Sequence, residues 1–312
     1  MPRIRANGLE LEYETFGDPH HPPLLLIMGF RTQMIGWDEE LCEQLAAAHF
    51  YVLRFDNRDV GLSSKIEGGP VPNVGAAMKG DLSSASYTLA EMADDAVALL
   101  EALGLPAAHV VGASMGGMIA QLVAIRHPGR ALSLCSIMST TGDPAVGQPT
   151  PAAMSSLFSP VAVDREGFIA GCLATWKVLR SPGFPWDEPR LRARAGRGYD
   201  RCFYPPGAAR QFVAVLASPD RTRALGALTL PTVVIHGAED PLVTPSGGEA
   251  TARAVPGAEL LIIPGMGHDL PAEVWPRVVA AISANAARAK ARPAPVVAAG
   301  LDGPTRPEVQ RS

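Results

Sequence analysis

Short apolar runs, each long enough for one β-strand, recur along the first 141 residues and are separated by segments of helical pattern. Such runs are typical of strands that are covered on both faces. Strands that alternate with helices predict right-handed β-α-β units and a parallel sheet, which is an α/β fold. The predicted strands are Leu9–Phe16 (an antiparallel edge strand), Pro23–Met28, Tyr51–Phe55, His109–Ala113 and Ala131–Met138, and the predicted helices are Glu39–Ala48, a capped helix from Thr88 to Gly104, and Met115–Arg126.

The alternation stops between residues 142 and 224 and then resumes. The interrupting segment is rich in Pro, Arg and aromatic residues, and it has helical patterns near Glu166–Leu179 and Ala208–Leu216. Two further strands, Thr232–Gly237 and Glu259–Ile263, and a helix from Glu273 follow it. We therefore expect one core of residues 1–141 and 225–288, a helical lid of residues 142–224, and a disordered Ala- and Pro-rich tail of residues 289–312.

The composition restricts the partners that the chain could bind. Of 312 residues 47% are hydrophobic, and the formal net charge is −4, so there is no basic field for nucleic acid or an anionic membrane. A small molecule is the expected partner. No signal sequence or membrane-length apolar run is visible, and the four cysteines lack metal-ligand spacing. These features indicate a cytoplasmic protein with reduced thiols, and neither a metal nor an organic cofactor is expected.

The sequence Gly112-Ala113-Ser114-Met115-Gly116 fits the pattern G-x-S-x-G. It follows a predicted strand and opens a predicted helix, so the chain must reverse there within one sharp turn. Glycines on both sides of the serine let strand and helix approach without a Cβ clash. The turn displays Ser114 at the carboxyl edge of the sheet, beside the N–H groups of a helix N-terminus. Ser114 is therefore the predicted nucleophile.

A serine hydroxyl needs a general base near neutral pH, and His268 is the best placed of the seven histidines. It lies in the glycine-containing loop Pro264–Pro271 after the last predicted strand, hence at the same sheet edge as the serine. Asp240 follows the preceding strand and gives the chain order Ser, Asp, His. The neighbouring Glu239 is its competitor, and Asp240 is preferred because Pro241 shapes the turn that aims it across the site.

An acyl-transfer site also needs two N–H donors for the oxyanion of the tetrahedral intermediate. One predicted donor is the backbone N–H of Met115, the residue after the nucleophile. The other is the N–H of Phe30, in the loop that follows the second predicted strand. Gly29 lets the backbone of that loop turn inward toward the serine.

With these motifs, residues 9–286 resemble the α/β-hydrolase superfamily and, more narrowly, the bacterial esterases that include the aclacinomycin methylesterases. The narrower resemblance rests on Leu26–Gly29, where most relatives have His-Gly, on Phe55–Ser63 and on Ile263–His268. It implies an α/β-hydrolase fold and two functional sets, a catalytic triad at the positions of Ser114, Asp240 and His268 and an oxyanion hole at those of Phe30 and Met115.

The predicted function is hydrolysis of carboxylic esters or lactones of small to medium apolar substrates through an acyl-enzyme. Thioester hydrolysis, carbon–carbon bond hydrolysis and cofactor-free perhydrolysis stay open because they use the same serine. A haloalkane dehalogenase is disfavoured, since its nucleophile would be Asp at the position of Ser114. A non-catalytic receptor or scaffold is the alternative from a different class.

The segment 142–224 leaves two questions about the substrate. Its aromatic residues either line a pocket or form the segment's own core. Its arginines between Arg190 and Arg201 either bind a carboxylate or, as the charge pattern favours, face solvent. Asp56, Arg58 and Asp59 are expected to form a structural network near the sheet edge. The predicted substrate-binding residues are Gly29, Trp176, Phe184, Trp186 and Tyr204.

Overall fold

The computed structural model describes residues 2–290 of the chain. Within these residues, eight strands form one sheet. They are Arg3–Ala6 (β1), Leu9–Phe16 (β2), Pro23–Ile27 (β3), Tyr51–Phe55 (β4), Ala108–Ala113 (β5), Ala131–Ile137 (β6), Thr232–Gly237 (β7) and Glu259–Ile263 (β8). Their spatial order is β1-β2-β4-β3-β5-β6-β7-β8. The six strands from β4 to β8 in this order are parallel, whereas β1 and β2 pair antiparallel, so the predicted mostly parallel sheet is confirmed.

Eleven α-helices accompany the sheet in the described part of the chain. They are Glu39–Ala47 (α1), Val74–Ala77 (α2), Leu89–Ala102 (α3), Met115–Arg126 (α4), Pro151–Leu157 (α5), Arg165–Leu179 (α6), Glu188–Arg201 (α7), Pro205–Leu216 (α8), Thr222–Leu225 (α9), Pro245–Ala254 (α10) and Trp275–Lys290 (α11). No helix within residues 2–290 is both long enough and apolar enough to cross a lipid bilayer.

The central strands are buried on both faces, as their continuous apolar sequence predicts. All six residues of β5 and all six of β7 are buried. One face packs against α3 and α4 through a large apolar cluster, and the other packs against α1 and α11 through a second cluster. Burying each large aliphatic side chain contributes about 1.5–3 kcal/mol, so these two clusters supply most of the driving force for the sheet.

The prediction of Leu9–Phe16 as an edge strand is wrong. The strand β2 pairs with β4 on one side and with β1 on the other, so β1 forms the edge. The strand β1 has only four residues and two exposed arginines, Arg3 and Arg5, and therefore lacks an apolar signal. The capped helix is confirmed, because Thr88 and Glu91 form a complete capping box at the start of α3.

Five helices, α5–α9, lie between β6 and β7. We call residues 138–231, which contain them, the insert. Three of these helices, α5, α7 and α9, were absent from the sequence prediction. The insert includes the segment predicted as a lid, and that role stays a prediction. The last helix continues to Lys290, and the remainder of the predicted tail, residues 291–312, lies outside the described residues.

Candidate active site

Ser114 sits in a sharp turn between β5 and α4 with φ 56° and ψ −124°, a left-handed conformation that is strained for a serine. The turn is held by the Ser114 N–H, which donates to the carbonyl oxygen of Ile137 (2.9 Å). It also requires glycine on both sides. A Cβ atom on Gly112 would lie 2.0 Å from the Gly116 carbonyl oxygen, and one on Gly116 would lie 2.1 Å from that of Ile27. The motif is thus a steric necessity of this turn.

The structure brings the three predicted triad residues together. The Ser114 Oγ atom lies 2.9 Å from His268 Nε2, and His268 Nδ1 lies 2.8 Å from Asp240 Oδ2. The imidazole and the carboxylate are almost fully buried, at 5% and 3% exposure. The competing acid, Glu239, is exposed. The hydrogen-bonded chain therefore runs from hydroxyl to imidazole to Asp240, and not to its neighbour.

Asp240 is held as an anion by its surroundings. Its Oδ1 atom accepts the backbone N–H groups of Leu242 (2.9 Å) and Val243 (3.0 Å), and its Oδ2 atom faces His268. Burial by itself raises the pKa of the carboxyl. Electrostatic attraction to the imidazoles of His268 and His236 and their hydrogen bonds lower it by more, to about 2. Asp240 is consequently ionised across the neutral pH range and can stabilise a protonated His268.

The two predicted oxyanion donors, Phe30 and Met115, follow the adjacent strands β3 and β5. The loop after β3 approaches Ser114 so closely that a Cβ atom on Gly29 would lie 3.1 Å from the serine Cβ atom. Phe30 follows in this loop and lines the same cavity as Ser114, while Met115 begins α4. Within residues 2–290 neither the Phe30 nor the Met115 N–H forms a hydrogen bond, so both remain able to donate to a ligand.

A cavity of about 330 Å³ opens beside Ser114 and His268, between the sheet edge and the insert. Its walls are mainly apolar. Of the predicted substrate-binding residues, the structure places Gly29, Trp176 and Tyr204 on its wall. A bound molecule would therefore touch both the core and the insert.

Phe184 and Trp186, also predicted to bind substrate, lie outside this cavity. Phe184 packs against the apolar cluster beneath α1 and α11. The Trp186 ring lies below the Arg180 guanidinium, 6.0 Å from it, and its Nε1–H donates to Glu188 (3.1 Å). Both aromatic side chains thus serve the packing of the insert, which the sequence could not distinguish from a pocket role.

Other aromatic residues of the insert pack on one another. The rings of Phe168, Tyr199 and Phe203 form a cluster with centroid separations between 5.1 and 5.6 Å. Phe168 and Phe203 also reach the cavity wall. The sequence left open whether these aromatic residues form the core of the insert or line a pocket, and Phe168 and Phe203 do both.

Three arginines of α7 and one of α8 bind carboxylates of the core. The predicted solvated face is therefore wrong for Arg190, Arg194 and Arg201, whereas Arg192 and Arg197 are exposed. Asp38 pairs with Arg190 (3.3 Å) and Arg194 (3.4 Å). Asp56 pairs with Arg201 (2.5 Å), and Asp59 accepts two hydrogen bonds of 2.8 Å from Arg210. The predicted structural role of Asp56, Arg58 and Asp59 agrees with these contacts, since Arg58 also pairs with Asp95 (2.6 Å).

Ser181 in the insert reaches the loop that carries His268, a contact that sequence reasoning missed. Its Oγ atom accepts the Gly267 N–H (2.8 Å) and donates to Asp269 Oδ1. The N–H of His268 itself donates to the Leu179 carbonyl oxygen (2.8 Å) at the end of α6. The residues on both sides of His268 are therefore fixed by one buried hydroxyl. Nothing in the local sequence indicates this long-range contact.

Within residues 2–290, no group of three or more His, Cys, Asp or Glu side chains is arranged to hold a metal ion. The groups gathered beside the mainly apolar cavity are a serine hydroxyl, an imidazole, an ionised carboxylate and two backbone N–H groups without a hydrogen-bond partner in the described residues.

The chain is similar in sequence and in fold to known hydrolases. A family profile described as the alpha/beta hydrolase fold matches residues 22–273. The rhodomycin D methylesterase of Streptomyces sp. (strain C5) is 32% identical over 304 residues, which cover 90% of this chain and 96% of the relative. The 3-oxoadipate enol-lactonase 2 of Acinetobacter baylyi is 26% identical over 79% of this chain and 82% of its own length. The crystal structure of the enol-lactonase from Burkholderia xenovorans LB400 superposes with a TM-score of 0.70 at 24% identity, covering 91% of this chain and 99% of that one, and thus shares its fold.

Proposed function

The chain belongs to the α/β-hydrolase fold family, and on that premise we propose that it is a serine hydrolase that cleaves carboxylic esters. The observation that carries the proposal is the buried hydrogen-bonded chain from Ser114 through His268 to Asp240. In this chain the imidazole can take the proton of the serine hydroxyl through Nε2, while the carboxylate holds the proton on Nδ1. General-base catalysis by a histidine requires this arrangement. The similarity to a methylesterase supports a carboxylic ester as the substrate.

In the proposed mechanism, Ser114 Oγ attacks the ester carbonyl carbon while His268 Nε2 takes its proton. Asp240 keeps the Nδ1 proton in place and stabilises the imidazolium. The tetrahedral intermediate collapses when His268 returns the proton to the departing alcohol, which leaves an acyl-serine. Water, deprotonated by His268, then attacks the acyl-serine and releases the acid and the free Ser114 hydroxyl.

The N–H groups of Phe30 and Met115 bind the oxyanion in both halves of the cycle. They stand on separate elements, the loop after β3 and the first turn of α4, and both are free in the described residues. Preorganised donors of this kind contribute about 10²–10³ in rate each. This chain has Met28-Gly29 where most relatives have His-Gly. The exchange of that side chain does not remove either donor, because both donors are main-chain N–H groups.

Lactone hydrolysis is the second candidate function. It is favoured by the similarity to an enol-lactonase over 79% of the chain. It needs the same nucleophile, base and donors, but the alcohol stays attached to the acyl group. A cavity of about 330 Å³ suits substrates of small to medium size in either case.

A Ser114→Ala variant tests the proposal. We expect kcat for 4-nitrophenyl esters to fall roughly 10⁶-fold, because the nucleophile is lost while the fold remains. A fluorophosphonate probe should label the wild type once, at Ser114, by mass spectrometry. Ser83→Ala, at an exposed serine, is the control and should retain full activity. Persistent ester hydrolysis by the Ser114→Ala variant, or labelling at another residue, would overturn the proposal.

A further inference from the structure

Arg31 lines the same cavity as Ser114 and His268. It directly follows Phe30 in the loop after β3. Its backbone is fixed in a left-handed conformation (φ 49°), and its N–H donates to the buried Gln211 side chain in α8 (2.9 Å). The position of Arg31 is therefore set by both the core loop and the insert.

The carboxyl groups on the cavity wall already have other partners. Asp38 pairs with two arginines of α7, and Asp59 pairs with Arg210 of α8. Asp269 accepts a hydrogen bond from Ser181, and burial raises its pKa. In contrast, within residues 2–290 the Arg31 guanidinium has no salt bridge and no side-chain hydrogen bond. The cavity thus presents a cation without a counter-charge from the described part of the protein.

This unpaired cation is partly removed from water. Burial lowers the pKa of Arg31, yet a guanidinium stays protonated under all ordinary conditions. The nearby Cys172 cannot neutralise it, because burial raises the pKa of that thiol and keeps it protonated. A partly desolvated charge without a partner is unfavourable. An anion that enters the cavity would therefore interact with Arg31 more favourably than with a guanidinium in water.

We propose that Arg31 binds a carboxylate of the substrate, so that the preferred substrate is an ester that also carries a free carboxylate. This rests on the proposed function and narrows its substrate class. A guanidinium binds a carboxylate through two parallel N–H···O hydrogen bonds, which fix orientation as well as charge. The remaining wall is mainly apolar and surrounds the chain that joins the carboxylate to the ester.

Matched ester pairs test this assignment. The 4-nitrophenyl monoesters of glutaric, pimelic and suberic acid carry a free carboxylate, and their carboxamide analogues are neutral. We expect wild-type kcat/KM to favour at least one acid over its amide by about 10–10²-fold, the range of a charge-assisted hydrogen bond. Arg31→Gln should lower kcat/KM for the acids far more than for the amides and so remove the preference, and Arg31→Lys should restore part of it. These unbranched replacements suit the left-handed backbone as Arg does.

Two kinetic results would overturn the proposal. One is a wild type that cleaves acids and amides equally well. The other is an Arg31→Gln variant that loses activity on both series alike, which would assign Arg31 to the oxyanion or to folding. If the preference for the acids arises from a charge pair, it should decrease as the salt concentration is raised.

Equilibrium binding separates this proposal from the proposed function, because it needs no turnover. In the Ser114→Ala background, calorimetry would compare monomethyl suberate with the methyl ester of suberamic acid. Tighter binding of the anion that disappears with Arg31→Gln supports the anion site, even if no ester is cleaved by the wild type. Cleavage of neutral esters without any difference in binding would refute the anion site and leave the ester hydrolase intact.

Discussion

The carboxyl edge of the sheet and the insert above it differ in how far they depend on charged contacts. The site loops follow the parallel strands β3, β5, β7 and β8, of which the first three are buried in the apolar core and β8 is a partly exposed edge strand. The insert also packs apolar side chains on the core, among them Leu225 and Phe184, but in addition its arginines bind Asp38, Asp56 and Asp59. Apolar burial is distributed over many residues, whereas a buried ion pair depends on each of its two partners.

This difference has a consequence for how substitutions act. A polar residue at the sheet edge can be replaced at little cost to the fold, because the strands beneath it are stabilised elsewhere. A carboxylate below the insert cannot, because its loss leaves a buried arginine without a counter-charge. We therefore expect variants of the sheet edge to lose rate and variants of the insert contacts to lose stability.

Among the substitutions that test this comparison, Asp240→Asn at the sheet edge should have the largest effect. The amide cannot hold the Nδ1–H tautomer or stabilise the imidazolium, so kcat should fall about 10⁴-fold. The free energy of unfolding in urea should change far less than the rate. Glu239→Gln, at the exposed neighbour, is the matched control and should keep the wild-type kcat. Equal losses for the two variants would contradict the assignment of Asp240.

The substitution Asp59→Asn tests whether the ion pairs between the insert and the core contribute to stability. The Asp59 side chain is fully buried and that of Arg210 is 9% exposed, so the amide leaves a largely buried guanidinium unpaired. We expect a loss of about 3 kcal/mol in the free energy of unfolding, measured by urea denaturation. Asp200→Asn removes an ion pair with Arg165 at the surface of the insert and should leave stability almost unchanged. If Asp59→Asn is as stable as the control, the ion pairs do not anchor the insert.

The core was predictable because its signals are local. Continuous apolar runs identify strands covered on both faces. The glycine at position 112 is required by a contact of 2.0 Å with Gly116 in the same motif, and Gly116 by one of 2.1 Å with Ile27 of the neighbouring strand β3. The predicted α/β-hydrolase resemblance is confirmed by the family profile over residues 22–273. Sequence order alone also brought Ser114, Asp240 and His268 to one edge, because parallel strands end on the same side.

The insert was harder to predict because its helices are stabilised by contacts with the core. The helix α7 is rich in arginine and contains two glycines and few large apolar residues, so its sequence carries little of the signal of a buried helix. Its arginines find carboxylates more than a hundred positions earlier in the chain, as in the pair Arg190–Asp38. The sequence equally gives no sign that Arg31 lacks an ionic partner among residues 2–290, because this depends on which partners the other charged residues bind.

Ser181→Ala is expected to have the smallest effect and to sharpen the comparison, because Ser181 joins the two regions. The change leaves the Gly267 N–H and the Asp269 carboxyl without their shared partner on either side of His268. We expect a loss of about 1 kcal/mol in stability and a several-fold lower kcat with an unchanged KM, because the imidazole loses its fixed position while the cavity wall remains. Ser155→Ala, at an exposed serine of the insert that lies outside the cavity wall, is the control. A rise in KM alone would show that the insert acts on substrate binding only, and the rate would then be determined by the sheet edge without help from the insert.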